Sequence, residues 1–376
     1  MLDPSLFPDL TARELESAPI ARAETIPSAW YTEPRFHELD REAVLAASWQ
    51  HVGDLAQVRE PGGSIAAEVA GNPVLVVRGD DGELRAFYNV CRHRGGPLGV
   101  KAGTKLMLQC RYHGWTYEPD GMLRGVPHFN RTELFDKRDY GLVPVRLAVW
   151  EGHVFVSLAP TPQPLEECLE GIRERLAPQR LGDLTFARQV EYDVRCNWKV
   201  YVDNYLEGYH VPYVHPELFE MYDFEAYRTE VRDRYTVQVG PLAAGKTVYS
   251  EGGGEALYYH VFPNFMLNVL PGRLQTNVVV PLAPDRCRVV FRYYYDDVSS
   301  AAARERIDAD LAFSDHVQQE DMEICARVQL GISSRAYQRG RFSPTFEEGV
   351  YRFQCLLKEA YREWLIESPR SPPCSP

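Results

Sequence analysis

Four residues have types and spacing suited to metal chemistry: Cys91, His93, Cys110 and His113. The pattern reads Cys-x-His, sixteen residues, then Cys-x2-His, so each half supplies one thiolate and one imidazole. Two soft thiolates and two imidazoles suit either a tetrahedral zinc or a two-iron, two-sulfur cluster in which one iron takes both histidines. A second group lies further on. His210 and His215 fall in the Trp- and Tyr-rich stretch Asn197–His215 (NWKVYVDNYLEGYHVPYVH), and Asp321 falls on a helix near the C-terminus. Two histidines and a carboxylate on one face of an iron leave positions open for dioxygen and substrate.

These groups need elements to hold them. From about Trp49 to Pro160 the chain reads as short β runs broken by turn signals. Asn72–Val77 and Leu84–Val90 flank the turn Gly79–Gly82, the run Lys105–Tyr117 ends at Pro119-Asp120-Gly121, and Val149–Leu158 folds back at Glu151-Gly152. Each Cys/His pair then sits in a loop at a strand end. Before this β module, residues 1–45 read as a helical lead-in, including the run that follows Pro34. After it, Pro160-Thr161-Pro162-Gln163-Pro164 marks a linker, because proline removes backbone donors. Beyond the linker come a charged helix (Leu165–Leu176) and a helix that ends near Val211 and bends His215 back towards His210. Strand-like runs follow (Tyr258–Leu270, Leu274–Leu282, Arg286–Tyr295), then a long helix from about Ala303 to Leu330. On that helix Ile307, Val317, Ile324 and Val328 form an apolar stripe. Asp321 falls on it, while Asp315, Glu320 and Glu323 lie further off. A carboxylate on a buried face needs a partner, and iron would be one. The organisation is thus 1–45 lead-in, 46–160 all-β module and 161–376 mixed α+β domain.

Composition excludes several classes. A formal charge of −12 over 376 residues speaks against a nucleic-acid partner, which needs surplus Lys and Arg. There is no run of about 18 apolar residues for a membrane span, and the N-terminus (MLDPSLFPDL) is unlike a basic leader, so a cytoplasmic location is expected. The eight cysteines are too sparse and irregular for a disulfide framework. Gly252-Gly253-Gly254 lacks the spacing of a nucleotide loop, and neither a flavin nor a nicotinamide signature is present. Any redox chemistry here therefore draws its electrons from another protein.

The context of the four ligands carries a family resemblance. CRHRGGPL and CRYHGWTY, with the trailing Pro-Asp-Gly turn, resemble the two cluster loops of Rieske proteins. The respiratory type has an extra bridging cysteine in each loop. Here those loops hold Arg, Gly, Tyr and Trp, which resembles the lower-potential oxygenase type, near the bottom of a range of roughly −150 to +300 mV. Asn197-Trp198-Lys199, Glu207, His210 and His215, with Gln319-Glu320-Asp321 downstream, resemble the catalytic domain of Rieske non-heme iron oxygenases, the ring-hydroxylating alpha-subunit family.

The resemblance implies a Rieske domain followed by a helix-grip (START-like) α+β catalytic domain. It implies a [2Fe-2S] cluster on Cys91, His93, Cys110 and His113, and a mononuclear Fe(II) on His210, His215 and Asp321. It also implies dioxygen as co-substrate, NAD(P)H acting through a flavin/iron-sulfur reductase or ferredoxin, and a homotrimer. In that ring Glu207 would join a Rieske histidine of one subunit to an iron-site histidine of the next. Glu207 replaces the Asp usual in ring-hydroxylating dioxygenases. Tyr258–Asn268 and Gln275-Thr276-Asn277 are similar to the choline monooxygenase-like, quaternary-amine branch. Tyr205, Tyr213, Phe262, Phe265, Tyr293 and Tyr295 are available as aromatic faces for a quaternary ammonium. Two other readings stand beside amine oxidation: an oxygenase of aromatic or hydrophobic substrates, and an electron carrier or ligand binder. The last has no use for His210, His215 and Asp321.

Overall fold

A computed structural model describes residues 2–101, 106–243, 245 and 254–367. Lys105, Gly252, Gly253 and Cys374, which enter the sequence reading above, lie outside the described residues. The chain divides into two compact units, residues 45–166 and residues 1–44 with 167–376.

The first unit is all β. A six-stranded antiparallel sheet has the order β1-β10-β9-β4-β3-β2. Its strands are β1 (Gln50–Asp54), β2 (Ser64–Val69), β3 (Asn72–Arg78), β4 (Leu84–Tyr88), β9 (Pro144–Trp150) and β10 (His153–Ser157). Between β4 and β9 the chain builds a four-stranded sheet from β5 (Leu98–Lys101), β6 (Met107–Cys110), β7 (Thr116–Tyr117) and β8 (Leu123–Gly125). The hairpins at Gly79–Gly82 and Glu151-Gly152 form where the turn residues place them. The run Lys105–Tyr117 is not one strand. It breaks after Cys110, where the backbone turns through Gly114 and returns as β7. Valines on alternate positions (Val74, Val76, Val154 and Val156) fill the core of the larger sheet. Leu108, Trp115 and Tyr117 fill that of the smaller one.

The second unit is α+β. Its seven-stranded antiparallel sheet has the order β11-β17-β16-β15-β14-β13-β12. The strands are β11 (Thr185–Val194), β12 (Arg228–Val231), β13 (Tyr235–Pro241), β14 (Glu255–Val261), β15 (Phe265–Leu270), β16 (Arg273–Ala283) and β17 (Arg286–Tyr295). Tyr258–Leu270 is therefore a hairpin rather than a single run. Pro263 has no N–H to give a ladder, and β14 and β15 pair across it. Helices α1 (Ser28–Thr32) and α2 (Pro34–Leu39) come from the lead-in. The charged segment splits into α3 (Leu165–Cys168) and α4 (Ile172–Leu176), because Gly171 takes φ 81°, which a helix cannot hold. Then come α5 (Trp198–Tyr205), the one-turn helices α6 (Val211–Val214) and α7 (Pro216–Phe219), the long α8 (Ala301–Ile332) and α9 (Glu348–Glu367).

One core cluster joins the lead-in, the sheet and the helices: Trp30, Phe36, Trp198, Val289, Ile307, Phe353 and Tyr361 are all in it. The Asn-Trp-Lys segment is the anchor. Asn197 caps α5 by accepting from Lys199 N at 2.9 Å, and its Nδ2 donates to Tyr31 O and Pro284 O. Trp198 Nε1 and Lys199 Nζ both donate to Asp40 Oδ2, and Tyr361 donates to Asp40 Oδ1. Asp40 and Lys199 are fully buried. This network fixes α5, which carries side chains to the site described next.

Candidate metal centres

Cys91 follows β4 and Cys110 ends β6, and the two loops they open are built alike. Gly95 N donates to Cys91 O and Cys91 N to Gly96 O; Gly114 N donates to Cys110 O and Cys110 N to Trp115 O. In each loop the residue four after the cysteine must take a left-handed backbone, and both are glycines at φ 73°. The repeated turn brings the two loops face to face. The rings of His93 and His113 lie 4.7 Å apart, and His93 stacks on Trp115 at 4.8 Å and 11°.

Tyr117, which the sequence reading passed over, reaches back to this site. Its hydroxyl accepts from Arg92 N at 3.0 Å and lies 3.2 Å from Cys91 Sγ, so its proton is free to donate to sulfur. Tyr112 N donates to Cys110 Sγ at 3.4 Å. Both cysteines are buried, and burial raises the Cys91 thiol. Burial lowers His93, with His113 and Arg94 adding to the effect, and keeps its ring neutral. His93 Nδ1 is buried without a hydrogen-bond partner.

A bound metal would satisfy that nitrogen and reverse the cost of ionising buried thiols. A single zinc fits poorly. Among the described residues, donor atoms converge within 4.8 Å at His210/His215/Asp321 and at His51/Asp54/His153, and the four loop ligands form no such group. A two-iron cluster spreads its ligands over two metals, and that fits.

The second centre assembles from two elements. His210 precedes α6 and His215 ends it, while Asp321 lies in the middle of α8. The expected helix ending near Val211 is thus replaced by one that starts there. Pro212 suits its first turn, and that single turn swings His215 round to face His210. The rings lie 5.1 Å apart. His215 Nε2 is 3.0 Å and His210 Nε2 3.6 Å from Asp321 Oδ1.

Each imidazole is held from behind by a carboxylate, His210 Nδ1 by Glu207 Oε1 and His215 Nδ1 by Glu320 Oε2, both at 2.7 Å. A carboxylate only accepts, so each Nδ1 carries the proton and each Nε2 offers a lone pair. Two lone pairs then face the Asp321 carboxylate, an arrangement that calls for a positive charge between them. An iron ion held there would supply it, and Glu207 and Glu320 would fix ring orientation and tautomer. In the metal-free chain burial pulls His215 down, but Asp321 and Glu320 outweigh it and raise the ring above its ordinary value.

Glu207 lies in the loop after α5, 13% exposed, and also accepts from the backbone of Tyr209 and His210. Asn204, on α5, donates to Asp321 Oδ1 at 2.6 Å. Glu320 and Asn204 are additions to the sequence-derived set. Glu320 was missed because the stripe was drawn out of phase. Val328 is 42% exposed, and the buried face of α8 runs through Ile307, Gln318, Cys325 and Gln329. Gln318 accepts from Tyr201 and Gln329 from Asn197 N, so two polar residues occupy the core-facing line.

A cavity of about 160 Å3 opens onto His210, His215 and Asp321. Tyr201, Tyr205, Tyr222, Tyr227 and Tyr258 line it, with Arg273, Gln275, Asn277 and Asp310. Of the six aromatics named from sequence only Tyr205 is among its lining residues. Tyr213 is exposed, Phe262 and Phe265 are core, and Tyr293 and Tyr295 stand one layer back, bonded to Ser314 and Asp310.

Two family models match the chain. The Rieske [2Fe-2S] domain covers residues 48–143, and the ring hydroxylating alpha subunit catalytic domain covers residues 181–363. The chain is 36% identical to a chloroplastic choline monooxygenase of Arabidopsis thaliana, over 90% of this chain and 83% of that one. It is 30% identical to the carnitine monooxygenase oxygenase subunit of Escherichia coli K12, over 96% of this chain and all of the other. A solved quaternary ammonium Rieske monooxygenase, CntA in complex with L-carnitine, superposes with a TM-score of 0.79 at 29% identity, covering 92% of this chain and 99% of that one. Naphthalene 1,2-dioxygenase from Rhodococcus, at 18% identity and a TM-score of 0.72, shares the fold. Both cofactor-domain models fall on one chain in the order its two units predict, and relatives of 30% identity or more span nearly its whole length: the chain belongs to the Rieske non-heme iron oxygenases, oxygen-using oxidoreductases of the ring-hydroxylating alpha-subunit family.

Proposed function

We propose that this chain is the oxygenase component of a system that oxidises a small quaternary or tertiary amine, by hydroxylation at carbon or by N-demethylation. The observation that carries the reading is the cavity beside His210, His215 and Asp321. It is small, and five tyrosines and two phenylalanines, Phe291 and Phe313, stand in its wall. Small-molecule pockets commonly run from about 300 Å3 upward, so this one suits a compact substrate better than a fused-ring arene. A quaternary ammonium cannot donate a hydrogen bond. It is held by aromatic faces, each contributing about 0.5–2 kcal/mol. The choline and carnitine monooxygenases named above act on such amines, which supports the same class here.

The residue roles follow from position. Cys91, His93, Cys110 and His113 would hold the [2Fe-2S] cluster, and His210, His215 and Asp321 would hold Fe(II). When bound, the cluster supplies single electrons and the Fe(II) supplies dioxygen activation. Glu207 and Glu320 keep both imidazoles in the ligating tautomer, and Asn204 orients the Asp321 carboxylate. The tyrosine wall holds the cation and keeps water from the reacting carbon. Electrons come from NAD(P)H through a separate flavin/iron-sulfur reductase or ferredoxin. We take residues 1–45, 46–160 and 161–376 as lead-in, Rieske domain and catalytic domain of a cytoplasmic homotrimer. A solved relative described as revealing inter-subunit electron transfer supports a multimer. In it Glu207 would join the two centres across the interface.

The test supplies the iron-loaded protein, a reductase and NADH with a panel of quaternary amines, tertiary amines and arenes. Aldehyde formation coupled to NADH use is expected with amines. Ring hydroxylation without amine turnover would sink the reading. Glu207→Gln is expected to retain both iron centres yet lose nearly all turnover, and full activity in that variant removes the bridging role.

A further inference from the structure

The cavity has a second end. On α8, Asp321, Val317, Ser314 and Asp310 are spaced four, three and four residues apart and all line it. At 1.5 Å per residue the lining extends about 16 Å along the helix from the iron ligand. Across from Asp310, Arg273 lies on β16, where Gln275 and Asn277 follow on the same face at a period of two.

Arg273 is the only Lys or Arg among the described residues that line the cavity. Its charge is already taken. Arg273 Nε donates to Asp310 Oδ2 at 2.6 Å and Nη2 donates to Gln275 Oε1 at 2.7 Å, with both charged side chains under 10% exposed. Gln275 Nε2 passes the chain on to Asn277 Oδ1 at 2.8 Å, and Ser314 donates to Gln275 Oε1. The far end is therefore polar, neutral and hydrogen-bonded. The other fixed charges on the wall, Glu207 and Asp321, are negative.

We propose that the Arg273–Asp310 pair makes this site selective for an ammonium substrate whose other end is uncharged, an amino alcohol or alkylammonium, against zwitterions that end in a carboxylate. This rests on the amine-oxidation reading above. A carboxylate entering the cavity loses its water and finds no spare cation, so it must lie unpaired near Asp310 or displace it from Arg273. A hydroxyl can trade hydrogen bonds with Gln275, Asn277 or Ser314 at little cost.

The experiment compares choline with γ-butyrobetaine and carnitine on the iron-loaded enzyme with reductase and NADH, and measures binding of the same three by calorimetry. Wild type is expected to favour choline at least tenfold in kcat/KM and in affinity. Asp310→Asn releases Arg273 and is expected to move the ratio at least tenfold towards the carboxylates. Arg273→Gln removes the one Lys or Arg among the described lining residues and is expected to widen the preference for choline. Equal or better use of carboxylate substrates by wild type overturns the proposal, as does an iron-loaded Asp310→Asn whose preference is unchanged. If neither variant folds, the wild-type ratio decides. Amine turnover with carboxylates preferred defeats this proposal alone, whereas arene oxidation with no amine turned over or bound defeats the amine reading and this with it.

Discussion

Asp40→Asn probes the link between the lead-in and the catalytic unit. Asp40 and Lys199 are both fully buried, and Asp40 also accepts from Trp198 and Tyr361. Removing the carboxylate charge leaves an ammonium with no solvent and no ion-pair partner, only the weaker pull of Asp203. Breaking such a pair costs about 3–5 kcal/mol. The loss has a ceiling, because a stranded Lys199 can give up its proton. Burial already pulls its pKa below the ordinary 10.5, the Asp40 charge working against that. Discharging a free ammonium costs about 1.4 kcal/mol per pH unit below 10.5, hence about 5 kcal/mol at pH 7 and about 2 at pH 9. The destabilisation should therefore shrink by about a third to a half or more between those two pH values. Urea unfolding followed by helical circular dichroism reads this unit, which holds the long helices α8 and α9, and the visible absorption of the [2Fe-2S] cluster reads the other and should not move. Replacing both partners by Leu and Met should recover much of the loss, since an apolar pair of similar volume needs no counter-charge. A loss under 1 kcal/mol at pH 7, or one equally large at pH 9, would refute the account of Lys199 as a buried charge held by Asp40.

Glu320→Ala frees His215 Nδ1 and should weaken iron binding about 10–100-fold, read as iron content after dialysis against a chelator, with the cluster retained. Tyr117→Phe removes a donor near Cys91 Sγ that favours the more negative, reduced cluster, so the potential should fall by roughly 30–60 mV in a spectroelectrochemical titration. Burial raises Asp203 to about 7. The folded state thus binds the proton more tightly than the unfolded chain, and this group's contribution to stability is full below about pH 4 and lost as pH rises through 7. Asp203→Asn keeps an acceptor for Tyr31 and should flatten that decline, by at most about 4 kcal/mol less a discount for partial solvent access; an unchanged pH–stability curve rules it out.

Much of the fold was legible where local chemistry decides it. The turns Gly79–Gly82 and Glu151-Gly152 produce their hairpins, and the long helix forms within two residues of its expected bounds. The misplaced boundaries share a cause. Lys105–Tyr117, Tyr258–Leu270 and Leu165–Leu176 were read from continuous composition, and each contains one residue that reverses or breaks the chain: Gly114, Pro263 and Gly171. The C-terminal helix α9 passed unremarked, although Phe353, Leu357, Tyr361 and Trp364 recur at helical spacing and are buried. Its partners are the lead-in and α5, which lie far away in sequence.

The candidate ligands stood out in the sequence because their types are rare and their spacing short, whereas the residues that hold them did not. Glu320 neighbours a proposed ligand, yet adjacent residues on a helix point about 100° apart, so a stripe wrong by one phase hides it. That stripe was drawn through apolar residues alone, and α8 turns a partly polar line to the core. Gln318 and Gln329 are buried because Tyr201 and the Asn197 backbone need partners there. Polar burial of this kind is decided by long-range pairing, and no local period reports it. The same holds for the cavity. Tyr222, Tyr227 and Tyr258 come from a loop and a strand with no shared pattern, and Arg273 meets Asp310 only when α8 lies across the sheet. Candidate ligands therefore follow from local sequence, while substrate choice depends on contacts that exist only once the sheet and helix have packed. Variants at Asp310 or Arg273 should accordingly change which amine is used and leave iron loading intact, whereas variants at Glu320 should do the reverse.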